Sequence, residues 1–482
     1  MRVDTLKRLG FLVGTFAAFV VLLLVMDNSH QSFSTSHSSS SRNRSSVEPP
    51  NSTTAFASPT AAGVPPRTAR RETVVGRLLD VLEATQPSEA VGKYLRLHAN
   101  ERAKLGRNEA GARALIFMCD NRKDCLGTGN RLHGVVDAFV LAMLSSRAFF
   151  IVWNRGGEDI TKYLQPSEHL DWRLPKGYRR DSRANKGTSP TTTSLDTWFI
   201  QKQAEFLFNS DLVANYSSFD VLEMRAILMY AADLMESPYL QKHANEAGLA
   251  ELIDRNRDGT LVQLLLTLLI RPAPQVTQAL AKFDERLRGV TGLDDLSTIH
   301  LIGLQIRTGG DGNWRDAKRV PLDAVTTFSG SAISFARNAT ARLGHLVVPV
   351  VFIASDSTKA IDIASSDLVN NSILWTTVEG LVGSIGHVET SKANGAAKSA
   401  IHLRAWTDFF TMASVDNAVH GRSSFSEMSL VMGCRPSVYY KDLHQLQGNN
   451  MSLPPYHLDH GYCDYWAQKI QGQNRFHLRN RA

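Results

Sequence analysis

Residues 9–26 carry no charged side chain and are apolar almost throughout. Residues 28–62 are dominated by Ser and Thr, and prolines are scattered through and just after them. From about 72 onward apolar positions recur at regular spacings. The first run has roughly the 18 residues that bring a helix to the minimum for spanning a bilayer. Arg2, Lys7 and Arg8 precede it and Asp27 follows, an asymmetry that keeps 1–8 on the cytosolic side and carries the rest across. A cleaved signal peptide is the competing reading, but its apolar core is usually shorter and no clear small-x-small site follows this one. An uncleaved transmembrane signal-anchor over 9–26 is therefore expected. The Ser/Thr-rich stretch buries too little apolar surface to offset its ordering entropy, so 27–71 reads as a disordered stem open to O-glycosylation.

Beyond the stem the periodicity alternates. Val75, Leu78, Leu79 and Leu82 have helical spacing within 72–84, and a polar stretch runs on to about Gly111. Apolar runs at 114–118 and 148–153 predict buried strands on either side of a helix at 132–144. Residues 154–220 are polar and broken by Pro166, Pro175 and Pro190, and no element is assigned there. Helices are expected over 221–235, 261–270 and 275–287. A second series follows, with strands at 300–306, 346–354, 417–420 and 436–440, and helices at 396–413 and from 425. Such alternation predicts an α/β chain with mostly parallel sheets, in two Rossmann-like halves facing a cleft: 72–290, then 291–482.

At 482 residues with 43% hydrophobic and 21% charged positions, the chain is too apolar to be wholly disordered and long enough for a large core. The net charge of +7 suits an anionic ligand, but part of it lies in the N-terminal tail and no nucleic-acid module accompanies it, so no nucleic-acid partner is expected. Four cysteines exclude a small disulfide scaffold. Proximity suggests Cys119 with Cys125 and Cys434 with Cys463, although four cysteines permit three connectivities. Sequons at Asn43, Asn51, Asn215, Asn338, Asn370 and Asn450 fit a lumenal chain, a compartment that also permits disulfides.

Four segments carry candidate chemistry. Gly127-Thr-Gly-Asn-Arg131 opens a helix. Its glycines let a ligand approach the backbone and the helix start favours an anion, while Asn130 and Arg131 offer hydrogen-bonding groups. The alternative is a tight turn with Arg131 packed on the next strand. A dinucleotide fingerprint fails, because Leu132 stands at its third glycine. Gln305 and Arg307 share one face at the C-terminal end of a strand, where ligands of open α/β sheets bind. Asp311 follows in a Gly-rich loop with Arg315 and Asp316. Ser423, Ser424, Phe425 and Ser426 begin a helix, as N-cap or as phosphate cradle. Asp356 ends a strand, either to accept from a guanine base or to cap the next helix. His133, His300, His402 and His420 are not spaced as a metal set, and neither C-x-x-C nor Asp-x-Asp occurs, so no metal or other cofactor is expected.

These segments, in this order, resemble the GDP-fucose-dependent fucosyltransferases of the GT-B type. Gly127-Thr-Gly-Asn-Arg131, followed by Ala138, Phe139, Leu144, Arg147 and Ile151, is similar to the N-terminal block of that superfamily. Ile302-Gly-Leu-Gln-Ile-Arg307 is similar to the plant-type xyloglucan α-1,2-fucosyltransferases. Phe352-Ile-Ala-Ser-Asp356 and Ser423-Ser-Phe-Ser426 resemble two further blocks. Gln305 and Thr308 stand where several relatives carry a His and a second Arg, which points to the plant type. The plant-type C-terminal "E-P-C-F-H" is only loosely echoed, by Pro454-Pro-Tyr-His457 and Gly461-Tyr-Cys463.

The resemblance implies a GT-B-like fold and inverting, metal-free transfer of L-fucose from GDP-fucose to a glycan hydroxyl. The enzyme would be a single-pass type II protein of the Golgi membrane, and a homodimer is compatible with it. Arg307 would neutralise the donor diphosphate, with Asp311 as base. Ser423, Ser424 and Phe425 would flank the nucleotide and Asp356 would lie near guanine. Asn130, Arg131 and Gln305 would complete the donor cleft. The competing readings are a non-catalytic glycan-binding or scaffold protein on the same fold, and a lumenal sulfotransferase. The latter rests on Lys186-Gly-Thr188, which no apolar strand precedes.

Overall fold

The computed structural model describes residues 73–83, 87–120, 125, 127–154, 159–178, 191–196, 209–226, 231–309, 320–381, 395–421, 423–440, 456–458 and 463. The chain divides into two units, Met1–Pro66 and Arg67–Ala482, and every described residue belongs to the second. The expected anchor and stem, Asp311, and the sequons at Asn43, Asn51 and Asn450 lie outside the described residues. No helix among those described is long and apolar enough to cross a membrane.

The first part of the unit holds helices α1 (Val74–Glu83) and α2 (Glu89–Gly106), then β1 (Ala114–Cys119), α3 (Thr128–Leu144), β2 (Ala148–Trp153), β3 (Thr192–Asp196) and β4 (Val221–Arg225). Its four strands are parallel in the order β2-β1-β4-β3. Several helices follow, among them α4 (Leu261–Leu269) and α5 (Pro274–Thr291). The second part runs β5 (Ile299–Ile306), α6 (Val325–Leu343), β6 (Val348–Ser355), α7 (Thr358–Asn370), β7 (Leu374–Thr376), α8 (Gly395–Ala413), β8 (Asn417–Gly421), α9 (Ser424–Gly433), β9 (Ser437–Tyr440) and β10 (Tyr456–Leu458). Its sheet has the order β10-β9-β8-β5-β6-β7, and only the β9–β10 pair is antiparallel. Counted from β5, this is the 3-2-1-4-5-6 order of a doubly wound dinucleotide-binding sheet, whose strand order reverses between β5 and β8.

One apolar cluster runs from Phe139 and Leu222 of the first part through Leu265, Trp406, Phe409 and Leu430 to Leu301 and Phe352 of the second. Helices α3, α4, α8 and α9 therefore form a shared layer between the two sheets. Helix α1, the first described element, is tied to the second sheet. The Arg77 guanidinium lies 2.9 Å from Asp416 Oδ2 and donates to the carbonyls of Leu296 and Ile299 at 3.0 and 2.6 Å. Cys119 is bonded to Cys125 and Cys434 to Cys463.

Three expectations are corrected. Residues 221–225 are not helical but form β4, buried between β1 and β3. The strand is Val-Leu-Glu-Met-Arg, and Val221, Leu222 and Met224 with the apolar residues that follow also fit a helical period, so only its pairing decides for a strand. The polar stretch before Gly111 contains α2, an 18-residue helix capped by Ser88. Its buried stripe of Val91, Tyr94, His98 and Leu105 relies on polar-tipped side chains, which conceal the helical period. Within 154–220 the segment Thr192–Asp196 is a strand, paired at the sheet edge with β4.

His98 illustrates how polar groups are built into this core. Its Nδ1 accepts from Phe149 N–H at 3.1 Å and its Nε2–H donates to the Asp171 carbonyl at 3.0 Å. Burial lowers its pKa from 6.5 to about 4, opposed by the Asp171 hydrogen bond. The folded state therefore refuses a proton that the unfolded chain accepts below pH 6.5. The stability from His98 is complete above that value and is lost as pH falls toward 4. Burial raises Asp408 to about 7 and Asp284 to about 6, which acts in the opposite sense, so the test is a difference. In urea unfolding, His98→Gln is expected to destabilise most at pH 7.5. Its effect should shrink by up to ~3 kcal/mol on approach to pH 4.5. A destabilisation constant with pH would contradict the neutral, doubly bonded imidazole.

Candidate functional site

The parallel pairing of β5 with β8 aligns Gln305 with His420, so the C-terminal ends of these strands lie side by side at the strand-order reversal. Arg307, half-buried, leaves β5 there, and its carbonyl accepts from Val320 N–H at 2.9 Å. Ser423 leaves β8 and opens α9. Ligands of doubly wound sheets bind in the crevice outside such strand ends.

The turn after Arg307 is held by Asp356, the first residue beyond β6. Its Oδ1 accepts from the Thr308 N–H at 2.8 Å and from the Thr308 hydroxyl at 3.1 Å, and its Oδ2 accepts from Gly309 N–H at 3.1 Å. Gly309 has φ 97°, a conformation that glycine adopts without strain. Neither sequence reading of Asp356 describes these bonds. The cap of α7 is the neighbouring Ser357, which accepts from Ala360 N–H at 3.2 Å. Asp356 instead fixes the backbone that presents Arg307.

Two helix starts meet beside this turn. A Cβ on Gly129, in the first turn of α3, would overlap the Ser424 carbonyl carbon and the Phe425 nitrogen and stand 2.6 Å from Ser424 O. Only glycine allows that approach. Ser424 Oγ donates to Asn130 Oδ1 at 2.7 Å across the same contact. Ser426 Oγ, buried, lies 3.2 Å from Gln305 Oε1 and 3.1 Å from Ser423 O, which ties α9 to β5. Phe425 packs edge-on against Phe409 at 5.7 Å. Neither Gly127 nor Ser423, the residues preceding the two helices, makes a side-chain capping bond. Helix starts leave backbone N–H groups without intrahelical partners and carry partial positive charge, so two of them in contact form an electropositive point.

The other expected residues stand apart. Arg131 is 1% exposed and lies over the Trp153 ring at 5.1 Å, with Trp406 6.0 Å beyond. This is the packing alternative, an arginine on the next strand, and it corrects the expectation of a guanidinium offered to a donor. Arg147 is buried and donates to the carbonyls of Asp220 and Tyr216 at the start of the first sheet, a structural role. His420 is fully buried, and its pKa falls to about 4 through burial. His300 bonds Asn417 and His402 stacks on Tyr163. Among the described residues no three His, Cys, Asp or Glu side chains group as ligands of a metal. Sequence reasoning singled out the glycines of Gly127-Thr-Gly129 and the strand end at Arg307-Thr308, but missed Gly309, the hold of Asp356 on this turn and the contact of Gly129 with Ser424, which nothing local announces.

No family model matches the chain, and no curated protein does. Among solved structures, an Arg-to-Lys mutant of Arabidopsis thaliana FUT1 in complex with GDP is 14% identical. It covers 77% of this chain and 83% of its own, with a TM-score of 0.52. POFUT1 in complex with GDP is 12% identical over 70% of this chain and 99% of its own, with a TM-score of 0.34. A glycosyl transferase of family 9 from Veillonella parvula is 13% identical over 68% and 79%, with a TM-score of 0.33. Only the first is near enough in shape to bear on the fold. The chain shares its fold with FUT1, in agreement with the motif resemblance.

If the contact of α3 with α9 organises the site, Gly129→Ala costs about 3 kcal/mol or more in urea unfolding, because backbone and not a movable side chain occupies the space. Gly127→Ala, with nothing within 4 Å of its Cβ position, leaves stability within about 0.5 kcal/mol. Equal effects at the two glycines would contradict the arrangement.

Proposed function

We propose that the chain is a glycosyltransferase that moves L-fucose from GDP-fucose to a glycan hydroxyl. The observation that carries this reading is the meeting of two helix starts beside the strand-order reversal, next to the Arg307 turn. In it the GDP diphosphate lies against the open N–H groups of α9 and α3, with the Ser423 and Ser424 hydroxyls beside it. Arg307 adds a permanent positive charge with planar donors, suited to a diphosphate that gains charge as the fucose–oxygen bond breaks. No metal is required in this scheme, because helix ends and guanidinium supply the neutralisation. The acceptor hydroxyl attacks the anomeric carbon from the opposite face, with inversion. Asp311 is the proposed base and takes the hydroxyl proton.

The plant-type blocks favour an α-1,2 linkage. The apolar run at 9–26 favours a type II membrane protein of the Golgi with its catalytic part in the lumen. Lys186-Gly-Thr188, on which the sulfotransferase reading rests, lies outside the described residues.

Calorimetric titration tests the donor assignment. GDP is expected to bind, UDP and adenosine 3′,5′-bisphosphate to bind far more weakly, and Arg307→Ala to weaken GDP by about 10- to 100-fold. Failure of a folded protein to bind GDP would overturn the reading. GDP binding without turnover of GDP-fucose across a panel of glycans would leave a non-catalytic glycan-binding protein.

A further inference from the structure

Three sequons fall within the described residues, and the fold places all of them at the same kind of position. Asn215 ends the short helix Leu212–Asn215, six residues before β4 begins. Asn338 lies in the second half of α6, which leads into the start of β6, and Asn370 is the last residue of α7, which leads into the start of β7. Each is therefore at the end of its sheet where parallel strands begin. Arg307, Asp356 and Ser423 occupy the other end, where strands finish.

All three asparagines are exposed, as are Ser217, Thr340 and Ser372, the hydroxyl residues that complete the sequons. The helices that carry Asn338 and Asn370 are neighbours, because Arg337 Nη2 donates to Asn371 Oδ1 at 2.8 Å between α6 and the end of α7. Close to them in the chain are three exposed apolar side chains, Leu346 at 80%, Val369 at 61% and Leu374 at 38% exposed. Single exposed apolar residues are ordinary, but three around the strand-start ends of β6 and β7 are a liability unless something covers them.

From this placement we infer that Asn215, Asn338 and Asn370 carry N-linked glycans. The sugars occupy the strand-start ends of both sheets, screen Leu346, Val369 and Leu374, and leave the candidate donor site open. The inference rests on the lumenal placement proposed above. In the modification, Nδ2 of each asparagine bonds to the anomeric carbon of an oligosaccharide carried on a lipid diphosphate. The sugar–phosphate C–O bond breaks, the lipid diphosphate departs and an amide proton passes to a base. Because sugars are added as the chain enters the lumen, the part of the fold is to keep room for them, and a buried asparagine would not.

The test expresses the full chain in a eukaryotic secretory host and releases N-glycans enzymatically in heavy-oxygen water, which marks each former glycosylation site as a labelled aspartate. Label is expected at positions 215, 338 and 370. Asn338→Gln and Thr340→Ala should each remove the same single glycan, as should Asn370→Gln and Ser372→Ala. Label at Asn43 or Asn51 with none at the three folded sites would show that the chain reached the lumen and would overturn the inference. No label anywhere, in a chain digested by protease added outside sealed microsomes, would overturn the lumenal reading and the inference with it.

Discussion

The backbone of α9 at Ser424 passes through the space that a side-chain carbon on residue 129 would fill, and much of the candidate site follows from that approach. Helix α3 starts from the loop after β1, in the first sheet, and α9 starts from the loop after β8, in the second. Their contact is thus where two separately wound sheets agree on one geometry. The Ser424–Asn130 hydrogen bond and the apolar cluster beneath hold the contact shut, so each helix start is buried on one side by the other. Ordinarily two like-signed helix ends would repel. Here the absence of side-chain caps at Gly127 and Ser423 leaves that electrostatic demand for an anion to meet.

Around that point the polar side chains are spent on position. Gln305 does not face solvent from the strand end but is buried against Ser426. Asp356 spends both carboxylate oxygens on the turn at Thr308 and Gly309. A turn held by three hydrogen bonds to one carboxylate loses little further freedom on binding a ligand, and that preorganisation is worth more than a mobile contact of the same chemistry. Arg307 is the charge presented by this framework.

Much of the framework was legible in the sequence, and what was not has identifiable physical causes. The strands at 300–306 and 346–354 read clearly because their central stretches, Leu301–Leu304 and Val350–Ala354, are apolar and buried on both faces. At 221–225 the segment contains Glu223 and Arg225 and adjoins further apolar residues, so its spacing also fits a helix and only pairing with β1 and β3 decides for a strand. Helix α2 hid because Tyr94 and His98 face inward with their polar tips satisfied by Arg147 and Asp171. At the site, the blocks around Asn130, Arg307, Asp356 and Ser423 do converge, but the individual roles shift. For Arg131 the sequence leaves two readings open, a donor head or packing on the next strand, and Trp153, more than twenty residues away, decides for packing. Asp356 was judged as a strand-end carboxylate, while its partners come from a different strand's exit. Contacts between residues distant in sequence leave no local periodicity to read.

The central claim is that an anionic nucleotide binds where β5 and β8 end and α3 and α9 begin. Hydrogen–deuterium exchange with and without saturating GDP tests it most directly, because backbone N–H groups are the proposed ligands. The account predicts slowed exchange at the starts of α9 and α3 and at the turn following Arg307, with the strand-start ends near Leu346 and Val369 unchanged. Protection by GDP confined to any other part of the chain would contradict it.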